Sequence, residues 1–177
     1  RLATGGKWFI STVNAFHGKS MGAISMGGKA AYREDFIPMI QQVQHVEYGN
    51  AEATRAAVKN LTAVGEKVAG IIVEPIQGEG GVIIPPDGYM KELRAIADEY
   101  GCCLIADEIQ TGFGRTGTWF RVNHDDVTPD IMTFGKATSG GVVPITGIVA
   151  RPWTYEKSGI GTGEEGKMFS NPWILGS

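Results

Sequence analysis

The sequence has few cysteines, and those it has do not suit a disulfide-stabilised secreted domain. Cys102 and Cys103 are neighbours in an apolar segment. Adjacent residues of a strand point to opposite faces of the sheet, so a disulfide between them is not expected. We interpret both as buried thiols of a reducing compartment, which predicts a cytoplasmic protein.

Basic charge and long apolar runs are also lacking, and these shortages make two classes of partner poor candidates. The net charge is −3, so no basic stripe is expected to bind nucleic acid or an anionic membrane. The longest apolar runs have the length of strands, which is too short to span a bilayer. A hydrophobic content of 42% and a length of 177 residues suit one globular domain with a substantial core.

Glycine, in contrast, is abundant: 26 of the 177 residues are glycine, about twice the usual share. The glycines are not periodic, which excludes collagen, and they cluster after apolar runs, which suggests backbone lying close to a ligand. The chain lacks an initiator methionine and stops abruptly at "NPWILGS". We therefore expect a fragment of a longer polypeptide.

The apolar patterning predicts an α/β fold, with a central, mostly parallel sheet and flanking helices. A helix is indicated at 50–66, where Asn50 can cap its start, and a second at 89–101. Strand, helix and strand at this spacing are typical of a right-handed crossover between parallel strands. The predicted strands cover 7–13, 68–74, 102–108, 130–136 and 147–150.

Three ionisable residues end three of the predicted strands: Glu74, Asp107 and Lys136. Ligands of open α/β sheets bind outside the carboxyl ends of the strands, so these side chains form a candidate site. An ion-pair network that braces the sheet edge is the alternative. Glycines follow Asp107 and Lys136, and they would clear space for a ligand rather than brace the sheet.

A lysine and an aspartate in one pocket are the pair that pyridoxal 5'-phosphate (PLP) requires. The lysine amine forms a Schiff base with the aldehyde of the cofactor, and the carboxylate keeps the pyridine nitrogen protonated. The released lysine can then carry a proton between two carbon atoms. Lys136 and Asp107 are therefore the candidate catalytic residues, PLP is the candidate cofactor, and no metal is expected.

Four motifs in order give the chain a resemblance to the class III PLP-dependent aminotransferases of fold type I. The resemblance covers nearly the whole chain and is closest to putrescine and related diamine aminotransferases, with acetylornithine, ornithine and aminobutyrate aminotransferases close by. One such motif would be weak evidence, whereas four in order are specific. They read "AFHGKSMGAIS", "VEPIQGEGGVIIPPDGY", "ADEIQTGFGRTG" and "PDIMTFGKATSGGVVPI".

This resemblance implies roles for the residues around the cofactor ring. Lys136 resembles the Schiff-base lysine, and Asp107 the partner of the pyridine nitrogen. Phe16 is similar to the aromatic residue that stacks on one face of the ring, and Ile109 to the aliphatic residue on the other face. Gln110 resembles the amide that contacts the phenolic oxygen of the ring.

The resemblance also implies a substrate side, which is formed by the two acids of "EPIQGEGG". Glu74 and Glu79 resemble this pair, and in relatives the second acid takes part in switching between amino donor and keto acid. His17 belongs to the first motif, where a structural hydrogen bond is at least as plausible as a catalytic role. Thr138 and Thr146 depart from the usual residues, so we expect the packing near the lysine, rather than the chemistry, to differ from that of the family.

As a family member, the chain would be part of a larger homodimeric or higher oligomeric enzyme. Residues 1–177 would form part of the large, cofactor-binding domain, while a phosphate-cradling N-terminal segment and a C-terminal small domain would lie outside them. The expected reaction moves an amino group from a terminal amine, such as putrescine or a related diamine, to a 2-oxo acid, 2-oxoglutarate. Acetylornithine, ornithine and 4-aminobutyrate are the alternative donors.

Two alternative hypotheses place the chain in another functional class. "GTGEEGKM" at 161–168 is one letter from a phosphate-binding P-loop, but Met168 cannot supply the hydroxyl group for magnesium. The other reading is a truncated, non-catalytic fragment that binds nothing.

Overall fold

A six-stranded sheet organises the computed structural model, which describes residues 1–159. The strand order is β2-β1-β3-β4-β5-β6, and every neighbouring pair is parallel except β5 and β6, which are antiparallel. The strands are β1 (Trp8–Thr12), β2 (Val43–Val46), β3 (Val68–Val73), β4 (Cys103–Asp107), β5 (Ile131–Phe134) and β6 (Gly147–Ala150). The predicted α/β class with a mostly parallel sheet is confirmed.

The helices are α1 (Met21–Met26), α2 (Ala51–Ala63), α3 (Tyr89–Tyr100) and α4 (Pro152–Ser158). The side chain of Asn50 accepts a hydrogen bond from the backbone N–H of Ala53, so it caps α2 as the sequence predicts. Gly101 ends α3 in a left-handed conformation with φ of 64°, which glycine adopts at little cost.

The core lies between the sheet and the helices α2 and α3. All six residues of β3 are buried, which explains its continuous apolar run, because a strand covered on both faces has no polar side. Leu93 and Ile96 of α3 and Leu104 of β4 are also among the most deeply buried side chains. Cys102 and Cys103 are buried free thiols, as predicted.

The sequence prediction missed β2, α1 and α4, and it placed Lys136 at the end of β5. The pairing of β5 with β6 ends at Phe134, opposite Gly147. Lys136 lies two residues further, where it begins a short 3₁₀ helix that ends at Ser139. The near-match to a P-loop at 161–168 and the "NPWILGS" end lie outside the described residues.

The amino end of β5 is held by an ion-pair network around Asp130, which is 3% exposed. Oδ2 of Asp130 accepts from Arg94 Nη1 at 2.6 Å and from the backbone N–H of Leu104 at 2.8 Å. Arg151 Nε lies 3.8 Å from Oδ1, and Arg94 also pairs with Asp98 at 2.7 Å. This buried carboxylate therefore has two guanidinium partners.

Candidate active site

A cavity of about 180 Å³ opens at the carboxyl end of the sheet. Because β3, β4 and β5 are neighbours, the residues that follow them meet at this edge. The cavity is lined by Phe16, His17, Gly18, Glu74, Asp107, Ile109, Gln110 and Lys136. The structure thus brings together every predicted site residue except Glu79.

Asp107 is the last residue of β4. Like Glu74, the other acid that lines the cavity, it is buried. Oδ1 of Asp107 accepts from Thr133 Oγ1 at 3.0 Å and from the backbone N–H of Ile109 at 3.2 Å. Oδ2 lies 2.7 Å from Nδ1 of His17. Within residues 1–159, neither lysine nor arginine forms an ion pair with this carboxylate.

His17 orients the carboxylate of Asp107, a contact that the sequence motif alone leaves open. A carboxylate only accepts hydrogen bonds, so the imidazole donates from Nδ1. The side chain of His17 is 3% exposed, and its Nε2 is buried without a hydrogen-bond partner in the part of the chain that the structure describes. Within the described residues, the hydrogen bond to Asp107 is therefore the one that the ring of His17 makes.

Glu74 follows β3 and connects two loops at the cavity wall. Its Oε1 accepts from the backbone N–H of Phe16 at 2.9 Å, and its Oε2 from the backbone N–H of Gly78 at 3.1 Å. Burial raises the pKa of Glu74 above its ordinary value, although these two hydrogen bonds oppose the shift. Both carboxylate oxygens are thus engaged with the protein backbone, a bracing role that the sequence could not reveal.

Lys136 lines the cavity from a left-handed backbone conformation, with φ of 43°. Such a conformation is uncommon outside glycine, and strained backbone of this kind concentrates at functional sites. The preceding residue, Gly135, has little room for a side chain. A Cβ there would lie 3.0 Å from Thr146 Cγ2 and 3.1 Å from Ile109 Cδ1. The absence of this Cβ lets Ile109 approach the loop that carries the lysine.

Phe16, Ile109 and Gln110 supply the remaining predicted contacts of the cavity. The ring of Phe16 packs edge-to-face against Tyr32, with ring centroids 5.5 Å apart. Tyr32 was not predicted, because it lies in a glycine-rich stretch whose structure the sequence did not indicate. It supports the aromatic wall from outside the cavity.

Glu79 is exposed and is not among the cavity-lining residues. Its Oε2 lies 3.4 Å from the hydroxyl group of Tyr32, which donates to it, and its carbonyl oxygen accepts from Lys29 Nζ at 3.2 Å. The ammonium group of Lys29 also lies 5.2 Å from the centroid of the Tyr32 ring. Glu79 is therefore tied to the same segment that supports Phe16.

The described residues offer neither a membrane-spanning helix nor a cluster of metal ligands. In residues 1–159, no helix has both the length and the apolar character needed to cross a membrane. The same residues contain no group of three or more histidine, cysteine, aspartate or glutamate side chains that could hold a metal ion.

The chain is similar to known proteins both in sequence and in fold. The model of the family "Aminotransferase class-III" matches residues 3–172. An ornithine aminotransferase from Toxoplasma gondii ME49 is similar, with 34% identity and a TM-score of 0.80 over 90% of this chain and 37% of that chain. A second structure of the Toxoplasma gondii enzyme has partial occupancy of PLP at the protein active site.

Two bacterial enzymes are similar to a comparable degree. A thermostable (S)-enantioselective omega-transaminase from Thermomicrobium roseum has 36% identity and a TM-score of 0.77, over 88% of this chain and 38% of that chain. A transaminase from the marine bacterium Virgibacillus has 34% identity and a TM-score of 0.79, over 88% of this chain and 37% of that chain. The chain spans little more than a third of the length of these relatives.

The chain belongs to the class III aminotransferase family, because the family model matches nearly its whole length. Its sheet and helices are those of a fold-type I PLP-dependent aminotransferase.

Proposed function

We propose that this chain binds PLP and transfers an amino group from a terminal amine to 2-oxoglutarate, as part of a longer enzyme. The observation that carries the proposal is the cavity shared by Asp107 and Lys136. Asp107 has no lysine or arginine partner within the described residues, so it can bind a cationic ring nitrogen. A cavity of about 150 Å³ holds a benzene molecule, so this one of about 180 Å³ is large enough for a six-membered ring.

The residues of the cavity fit the different sides of the cofactor. PLP supplies an aldehyde that bonds to an amine and a protonated ring that accepts electrons. Asp107 would hold the ring nitrogen, oriented by His17, and Lys136 would hold the cofactor and move a proton. Phe16 and Ile109 would cover the two faces of the ring, and Gln110 would contact its oxygen.

Glu74 and Glu79 would act at two different distances from the ring. Glu74 lies in the cavity wall and fixes the backbone of Phe16, so we assign it to cofactor binding through that wall. Glu79 is exposed, where its carboxylate would face the substrate side.

For the amino donor we propose putrescine or a related diamine. The support is the set of four motifs, which resembles the diamine enzymes most. Ornithine is the second candidate, because an ornithine aminotransferase is 34% identical over 90% of this chain. Acetylornithine and 4-aminobutyrate are the further alternatives.

A panel of these amines decides between the donors when it is tested on the longer protein with glutamate formation as readout. Fastest turnover with putrescine supports the diamine. Fastest turnover with ornithine overturns it.

We also propose that residues 1–177 form part of the large domain of a cytoplasmic homodimer. The phosphate-cradling segment and the small domain would then lie in the remaining two thirds that the relatives possess. Positioning contributes a large share of catalysis, so the 177-residue chain alone would turn over far more slowly than the longer protein. Equal turnover of both would contradict this division.

Chemical labelling tests the cofactor assignment directly. Borohydride reduction of the longer protein with PLP fixes the cofactor on the lysine that carries it, and mass mapping of peptides then locates the label. We expect the label on Lys136 and its loss in Lys136→Ala. Lys19→Ala, which removes an exposed lysine next to Gly18 of the cavity lining, serves as the control and keeps the label. A label on another lysine, or none, overturns the assignment.

A further inference from the structure

Gly78 and Gln110 lie against each other at the wall of the cavity. A Cβ placed on Gly78 would overlap the side-chain carbonyl group of Gln110 and lie 2.9 Å from its Nε2. Gly78 is not among the residues with positive φ, so its backbone conformation is open to alanine. The Gln110 side chain is therefore the obstacle to a larger residue at position 78.

The amide group of Gln110 has no hydrogen-bond partner in residues 1–159, although it lines the cavity. Its position thus depends on packing rather than on a bond to the protein. The surface against which it packs is firmly held, because the N–H of Gly78 donates to Glu74 Oε2 at 3.1 Å. Glu74 in turn holds the backbone of Phe16 at 2.9 Å.

We propose that Gly78 is a positioning residue: the absence of its side chain seats the Gln110 amide where it can bond to the oxygen of the cofactor ring. This inference rests on the proposed function, since it takes PLP as the ligand. A methyl group at position 78 would displace the far end of a flexible side chain, and that movement disturbs the backbone little. Gly78→Ala should consequently alter binding more than folding.

A double-mutant cycle on the longer protein tests this relation, with the Kd of PLP from fluorescence titration as readout. The variants are Gly78→Ala, Gln110→Ala and the combination of both. Each single change should weaken PLP binding about tenfold, which corresponds to one lost hydrogen bond. The combination should bind no more weakly than either single variant, because both changes remove the same contact. Both single variants should also shift the absorption maximum of bound PLP alike.

Gly80→Ala is the matched control. It lies in the same loop, and its Cβ would meet another glutamine oxygen, Gln77 Oε1, at 2.9 Å, and the carbonyl oxygen of Asn14 at 3.1 Å. Gln77 is buried and does not line the cavity, so Gly80→Ala should leave the Kd within about twofold of the unsubstituted protein. An equal loss of affinity in both glycine variants would assign the effect to loop strain and overturn the inference.

The remaining outcomes separate this inference from the proposed function. If Gly78→Ala binds PLP normally, or if its effect multiplies with that of Gln110→Ala, the inference is wrong while the function stands. If the unsubstituted protein binds no PLP, both are overturned. Should Gly78→Ala alone fold poorly, the double variant removes the overlap and should restore folding; failure to do so also contradicts the inference.

Discussion

The two ends of the sheet each carry a buried aspartate, and the two carboxylates have different partners. Asp130, before β5, has the guanidinium groups of Arg94 and Arg151 within 4 Å, at 2.6 and 3.8 Å. Asp107, at the end of β4, has one imidazole at 2.7 Å, one hydroxyl group and one backbone N–H. Their exposures are similar, 3% and 7%, so burial does not separate them.

The difference lies in the charge that remains for a ligand. A buried carboxylate costs free energy unless cations or hydrogen bonds compensate it. Asp130 is compensated by the protein itself and suits a bracing role. Asp107 has hydrogen bonds but no lysine or arginine within the described residues, so a cationic ligand would complete its environment. Exchanging each aspartate for asparagine tests this contrast.

The largest effect is expected from Asp107→Asn. The amide cannot stabilise a protonated ring nitrogen, so amino transfer by the longer protein should slow roughly 100- to 1,000-fold, as on removal of one preorganised electrostatic partner. The measurement is the rate of glutamate formation per folded enzyme. Asp130→Asn is the control and should keep the rate. If both variants lose activity equally, the two ends do not differ in function.

A smaller effect, on stability, is expected from Asp130→Asn. The change leaves Arg94, whose side chain is 16% exposed, without its nearest carboxylate. Breaking a buried pair in this way costs about 3 kcal/mol of the free energy of unfolding. Urea denaturation measures the loss, which should exceed that of Asp107→Asn. The reverse order would show that Asp107, not Asp130, braces the sheet.

The smallest effect concerns Glu74 and the pH. Burial raises the pKa of Glu74, so the folded protein binds this proton more tightly than the unfolded chain. The contribution of Glu74 to stability is therefore fully present below the ordinary pKa of glutamate and is lost as the pH rises through the folded pKa. Glu74→Gln does not titrate, so as the pH rises from about 4 through the folded pKa of Glu74 it should gain stability relative to the unsubstituted protein. Denaturation at several pH values measures this, and a difference independent of pH contradicts it.

The sequence predicts the position of this site better than its internal contacts. Glu74 and Asp107 end apolar runs, and the edge at which parallel strands end is shared, so their convergence follows from topology. The two backbone partners of Glu74 could not be predicted, because Phe16 and Gly78 come from separate loops. The histidine contact of Asp107 joins residues 90 positions apart and has no local signal.

The sequence also does not predict the local backbone geometry around Lys136 or the short elements β2 and α1. The apolar run "DIMTFGK" predicts a strand up to Lys136, but the strand ends at Phe134 and Lys136 lies beyond it in a left-handed conformation. The strand β2 and the helix α1 are short and lie in segments without clear periodicity, so their tertiary contacts decide their structure.

The antiparallel return of β6 makes the segment 135–146 a hairpin loop with both ends fixed. Phe134 pairs with Gly147, so the two ends of the loop cannot separate while the sheet is intact. Lys136 lies only two residues from this anchor, whereas Val142, Val143 and Ile145 at the far side of the loop are 84%, 57% and 50% exposed. Substitutions among these exposed residues can therefore change the far side of the loop while Lys136 stays close to its anchor, so under the proposed function this loop is a suitable region for changing substrate preference.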